Sequence, residues 1–139
     1  MKKELKCIML VDDDKSDNFF HEREIKKAAL STVVIIRDSA IDALEYLKGM
    51  NEKNDLKPDL IFLDINMPKM NGWEFLIEFS QLDRVIQINT MIMILTTSNN
   101  VTDRFRAKAW SFVSGYLTKP LTKEIITDIH KTYFLQKDI

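Results

Sequence analysis

The chain has 139 residues, 45% of them hydrophobic and 29% charged, with a formal net charge of -1 at pH 7. That length and hydrophobic share fit one compact domain with a substantial core, and a charge near zero gives no global pull toward nucleic acid or an anionic membrane. No apolar run approaches the ~20 residues of a membrane span, Met1-Lys2-Lys3-Glu4 lacks the pattern of a signal peptide, and one cysteine cannot form an internal disulfide, so a reducing cytoplasm is the expected location.

Leu5 to Val11 is short and mostly apolar, which predicts a buried strand, and Cys7 beside Ile8 and Met9 reads as an inert buried thiol. The strand runs into Asp12-Asp13-Asp14. Ser16 or Asp17 is expected to cap a helix reaching about Leu30, with Phe20, Ile25, Ala28 and Ala29 as its apolar face. Val33-Val34-Ile35-Ile36, β-branched throughout, predicts the second strand. Asp38 or Ser39 then caps a second helix, with Ala40, Leu44 and Leu47 on one face.

Gly49 to Pro58 is polar and loop-like. A strand is expected over 59–63, in which the apolar run Leu60 to Leu63 suits burial on both faces and stops at Asp64. Pro68 and Gly72 punctuate a turn. A third helix from about Asn71 is expected to bury Phe75, Leu76, Phe79 and Leu82. Met91 to Leu95 is the fourth strand, followed by Thr96-Thr97-Ser98. A fourth helix is expected over about 101–109 with Val101 and Phe105 inward. Gly115 to Thr118 is a short fifth strand ending at Lys119-Pro120. Thr122 caps a last helix that carries Ile125, Ile126, Ile129 and Tyr133.

Five alternations of strand and helix argue for a parallel sheet with helices on both faces and right-handed crossovers. The fold predicted is a flavodoxin-like, doubly wound α/β domain, five parallel strands in the order 2-1-3-4-5, over residues 1–139 as a single domain. In that order strands one and three are neighbours at the topological switch point. Their ends bring Asp12, Asp13 and Asp64 into one crevice, and strands four and five add Thr96 and Lys119.

Three converging carboxylates repel one another, and a bound cation relieves this. An all-oxygen site suits Mg²⁺ better than zinc. A lysine and a hydroxyl opposite a carboxylate are what a nucleophile toward phosphorus requires.

Four blocks carry a resemblance to a known family: Val11-Asp12-Asp13, Asp64-Ile65-Asn66-Met67-Pro68-Lys69-Met70-Asn71-Gly72, Leu95-Thr96-Thr97-Ser98 and Gly115-Tyr116-Leu117-Thr118-Lys119-Pro120. In this order, each at a strand end, they resemble the response-regulator receiver domains of two-component signalling over essentially the whole chain. The resemblance implies that Asp64 is the phosphoacceptor and Asp13 a direct Mg²⁺ ligand. It makes Asp12 a ligand largely through water and the Asn66 backbone carbonyl a further one. Thr96 and Lys119 would bind the phosphoryl group, Tyr116 would be the aromatic switch, and Pro120 would follow a cis bond.

With no output domain in view, a stand-alone regulator is expected, similar to the small receivers some of which work with phytochrome-type kinases. Its expected partners are a sensor histidine kinase or a histidine phosphotransfer protein, and a downstream protein target. No direct contact with nucleic acid or membrane is expected, and the state is a monomer or a phosphorylation-dependent homodimer. Many receivers carry a Gly-Ala pair where this chain has Phe112-Val113.

Each motif alone has a plainer reading: an acidic turn, a surface lysine, a threonine cap. Their joint placement decides for the site. A magnesium-dependent phosphatase is disfavoured, because Asn66 stands where such enzymes of the haloacid-dehalogenase type favour a second acid. The chain is therefore expected to be a phosphoacceptor and not an enzyme. A receiver that had lost phosphorylation would have no need of Asp12, Asp13, Asp64, Thr96 and Lys119. His21 and His130 share no metal-ligand spacing and read as helix-surface or partly packed residues. Trp110 and Phe112 read as packed, and Trp73 as packed or lying over the site.

Overall fold

A computed structural model describes residues 2–28, 31–50 and 56–136. The elements in chain order are β1 (Cys7–Val11), α1 (Lys15–Lys27), β2 (Val33–Arg37), α2 (Ala40–Lys48), β3 (Leu60–Leu63), α3 (Gly72–Phe79), α4 (Arg84–Asn89), β4 (Met91–Thr96), α5 (Val101–Ala107), β5 (Val113–Thr118) and α6 (Lys123–Tyr133). The five strands form one parallel sheet in the order β2-β1-β3-β4-β5, as the alternation predicts.

Strand residues alternate between two cores, because successive side chains leave opposite faces of a sheet. Met9, Val11, Ile61, Leu63, Ile92 and Ile94 pack with Leu44 and Leu47 of α2 and Phe75, Leu76 and Phe79 of α3. Ile8, Leu10, Leu60, Phe62, Met93 and Leu95 pack with Ile25 of α1 and Ile126 and Ile129 of α6. Burial on both faces is why β1 and β3 read as continuous apolar runs. Cys7 lies inside this core, 1% exposed.

Local chemistry corrects several expectations. The α1 cap is Asp14, whose side chain accepts from the N–H groups of Ser16 and Asp17, rather than Ser16 or Asp17. Phe20 is exposed, and the buried face of α1 is Asn18, His21, Glu24 and Ile25. Two of the polar residues on that helical stripe meet polar partners on neighbouring segments. Asn18 Nδ2 donates to the Asp12 carbonyl at 2.8 Å, and Glu24 Oε1 accepts from Lys123 N–H, at the start of α6, at 3.0 Å. His21 is thus fully buried and not a surface residue. Ala29 and Leu30 lie outside the described residues, as does 51–55 of the expected loop.

Ser39 and Asn71 cap α2 and α3, the latter in a reciprocal capping box with Glu74. The short α4, capped by Asp83, was not foreseen because only six residues carry its pattern. Leu82 is half-buried before it. On α5 the expectation reverses. Val101 and Phe105 are 80% and 76% exposed, and Ala107 is the helix's buried residue. Polar contacts hold this helix instead: Ser98 Oγ donates to Asp103 at 2.8 Å, and Arg104 bonds Asn99 and Thr118. Trp110 and Phe112 are half-buried against the α3 side of the core, with Phe112 edge-on to Phe79. A register shift beside Ile92 and Met93 makes room for Ser114 in β5. Tyr133 of α6 stays partly exposed, while Phe134 closes the core.

Candidate functional site

Sheet hydrogen bonds run one residue past the strands and fix the groups at their carboxyl ends. Asp12 N–H donates to the Arg37 carbonyl at 3.2 Å, Asp64 N–H to the Val11 carbonyl at 3.0 Å, and Lys119 N–H to the Thr96 carbonyl at 2.8 Å. Asp12, Asp64, Thr96 and Lys119 therefore sit on backbone held by the parallel ladder. This is the end of an open α/β sheet where ligands bind.

The loop after β3 is folded back onto Asp64. Gly72 N–H donates to the Ile65 carbonyl at 3.0 Å. A Cβ on Gly72 would lie 2.6 Å from Ile65 Cα and 2.8 Å from the Asp64 carbonyl oxygen, so only glycine permits this approach. Lys69 takes a left-handed conformation within the same loop, with φ 66°. The Lys119–Pro120 bond is cis, as expected.

Asp12, Asp13 and Asp64 each place one carboxylate oxygen within 4.8 Å of the others. Asp12 and Asp64 are buried and Asp13 is exposed, so the group opens to solvent on one side. Lys119 Nζ lies 2.6 Å from Asp12 Oδ2 and 3.6 Å from Asp64 Oδ2. It also lies 2.7 Å from Asp17 Oδ2, a partner that reading Asp17 as a helix cap missed.

Burial pushes the Asp64 carboxyl above its ordinary value, and the Asp12 charge adds to this. Lys119, the Asn66 N–H and the Thr96 hydroxyl act the other way and favour the anion. Asn66 N–H donates to Asp64 Oδ1 at 3.3 Å. For Lys119, burial disfavours the ammonium, but the hydrogen bonds it donates to Asp12 and Asp17 outweigh this and hold the group above the usual lysine range.

Thr96 is fully buried at the end of β4. Tyr116 lies on the neighbouring strand, and its hydroxyl donates to the Ser98 carbonyl at 2.8 Å. The Arg104 guanidinium lies 4.8 Å from the Tyr116 ring centroid, so the ring is held between the β4–α5 loop and α5. Arg104 has no counterpart in the sequence reading, since its role depends on α5 turning its polar face inward. Trp73 is buried beneath the Arg106 guanidinium at 4.5 Å.

A family model described as response regulator receiver domain matches residues 8–131. The chain belongs to that family. It is 35% identical over 115 residues to response regulator Rcp1 from Synechocystis sp., covering 82% of this chain and 76% of the relative. The crystal structure of the Mn²⁺-bound form of Rcp1 aligns with a TM-score of 0.73 at 31% identity, covering 91% of this chain and 93% of that one. The crystal structure of the phosphorylated cyanobacterial phytochrome response regulator RcpA aligns with a TM-score of 0.72 at 31% identity, covering 92% and 93%.

Membership places the chain in two-component signalling. Receiver domains bind Mg²⁺ at an acidic pocket, and the donor set here suits that ion: three carboxylates, with no His or Cys in the group. Among the described residues, no helix is long and apolar enough to cross a membrane.

Proposed function

We propose that Asp64 of this receiver accepts a phosphoryl group from a phosphohistidine of a sensor histidine kinase or phosphotransfer protein, and that acylphosphate formation remodels the α5–β5–α6 face for a protein partner. The observation that carries this reading is the convergence on Asp64, at the end of β3, of Asp12, Asp13, Thr96 and Lys119 from the ends of three other strands. A surface carboxylate has no need of such a setting.

In the transfer, an Asp64 carboxylate oxygen attacks phosphorus, the phosphorus–nitrogen bond of the donor breaks, and its electron pair returns to the imidazole. Asp64 must be ionised to attack. The Lys119 ammonium, the Asn66 N–H and the Thr96 hydroxyl favour that form against the burial that opposes it. Asp12, Asp13 and Asp64 would hold Mg²⁺, with the Asn66 carbonyl as a further donor. The ion, when bound, neutralises the carboxylates and the phosphoryl oxygens. Lys119 and the Thr96 hydroxyl would receive the remaining phosphoryl oxygens.

Signalling follows from Thr96 and Tyr116 facing the same loop. A phosphoryl oxygen that draws on the Thr96 hydroxyl changes the 96–98 backbone whose carbonyl, at Ser98, receives the Tyr116 hydroxyl. Phosphorylation then biases an equilibrium between two arrangements of α5. The protein acts in the cytoplasm as a phosphoacceptor, not as an enzyme with turnover. It works as a monomer or as a homodimer formed on phosphorylation, and controls a partner or relays the phosphate.

Borohydride trapping tests the assignment. After incubation with acetyl phosphate and Mg²⁺, reduction should convert Asp64, and no other aspartate, to homoserine in the digested protein. Homoserine at Asp12 or Asp13 instead would overturn it.

A further inference from the structure

Lys119 is held from the α1 side of the site. Its Nζ is 2.6 Å from Asp12 and 2.7 Å from Asp17, while Asp64 Oδ2 at 3.6 Å is beyond a normal hydrogen bond. The two anchoring carboxylates differ in their other commitments. Asp12 belongs to the three-carboxylate group, and both its oxygens are already engaged. Its Oδ1 accepts from Asp14 N–H at 2.9 Å and its Oδ2 takes the lysine. Asp17 lies outside that group, on the first turn of α1, and its Oδ2 serves Lys119.

An oxygen of Asp12 that turns to a cation has less to offer the ammonium beside it, and the cation repels that ammonium. The Lys119 side chain is only 9% exposed, so water cannot replace the lost partner. Asp17 is the anchor that does not compete for the cation. We propose that Asp17 is a positioning residue, which keeps the Lys119 ammonium beside Asp64 when Asp12 is drawn into cation binding. The inference rests on the phosphoacceptor reading and deepens it. With Asp17 holding one N–H, the ammonium stays in place with a donor free for an oxygen arriving on Asp64.

The test follows the Lys119 side-chain ammonium of the full chain by ¹⁵N NMR during a Mg²⁺ titration, with Lys119→Met identifying the resonance. The wild-type signal should persist at saturating Mg²⁺. In Asp17→Asn it should be present without Mg²⁺, because Asp12 still holds the group, and vanish as Mg²⁺ binds. Asp17→Glu, which keeps the charge, should retain it. A signal that survives saturating Mg²⁺ in Asp17→Asn overturns the proposal.

Labelling by acetyl phosphate supplies the second arm. Asp17→Asn should slow it at least threefold in the wild-type background and not at all in the Lys119→Met background. Equal slowing in both backgrounds, or none in either, also overturns the proposal. Failure of the phosphoacceptor reading would look different: wild type itself would neither bind Mg²⁺ nor take a phosphoryl group, and the proposal would fall with it.

Discussion

Lys119 and Asp64 face each other across the site without a hydrogen bond, 3.6 Å apart, the lysine having spent its closer contacts on Asp12 and Asp17. Asp64 is consequently a buried carboxylate that is only partly compensated, and its pKa is raised, chiefly by burial. Stability from such a group is fully present below the ordinary carboxylate pKa and is lost as pH rises through the raised folded value.

Asp64→Asn should therefore melt at a higher temperature than wild type at pH 7 without Mg²⁺, while its fold is unchanged by circular dichroism. The advantage should shrink as the pH is lowered into the ordinary carboxylate range, because the buried wild-type carboxyl takes up its proton before an exposed one does. A variant less stable at pH 7 would show that attraction to Lys119 outweighs the desolvation of Asp64.

Gly72→Ala should destabilise the fold by about 1–3 kcal/mol, because the new methyl group meets backbone atoms of Ile65 and Asp64 that cannot yield. Urea unfolding midpoints measure this. The same displacement of Asp64 should slow phosphorylation, and a variant with wild-type midpoint and rate would contradict the close approach described.

Burial pushes the Cys7 thiol from 9.0 to about 11, with the Asp59 charge adding to it. The unfolded chain ionises first, so stability is lost as pH rises from 9.0 toward about 11. Relative to Cys7→Ala, wild type should lose about 1.4 kcal/mol between pH 8 and pH 10, seen in urea midpoints at the two values. A pH-independent difference would mean that the thiol titrates normally in the folded protein.

Phe105→Ser should change stability by less than about 0.5 kcal/mol, since the ring is 76% exposed. A loss of several kcal/mol in thermal or urea unfolding would restore the inward helix face that spacing alone suggested.

That last contrast shows where the sequence was legible. The sheet order, Asp64 at the end of an apolar run, and the Thr122 cap were readable because long-range burial and local capping agree there. On α1 and α5 they disagree. Asn18 and Glu24 are buried because polar partners lie on other elements, which one-dimensional periodicity cannot see. Val101 and Phe105 face outward because Asp103 and Arg104 anchor α5 from its polar side. Asp17 was hidden for the same reason. Its partner, Lys119, is 102 residues away.

Intact-protein mass spectrometry after incubation with acetyl phosphate, with and without Mg²⁺, on wild type and Asp64→Asn, tests the central claim most directly. The account predicts a gain of one phosphoryl group by wild type with Mg²⁺, and none without the ion or in the variant. Equal labelling of Asp64→Asn, or labelling of wild type that ignores Mg²⁺, would contradict it.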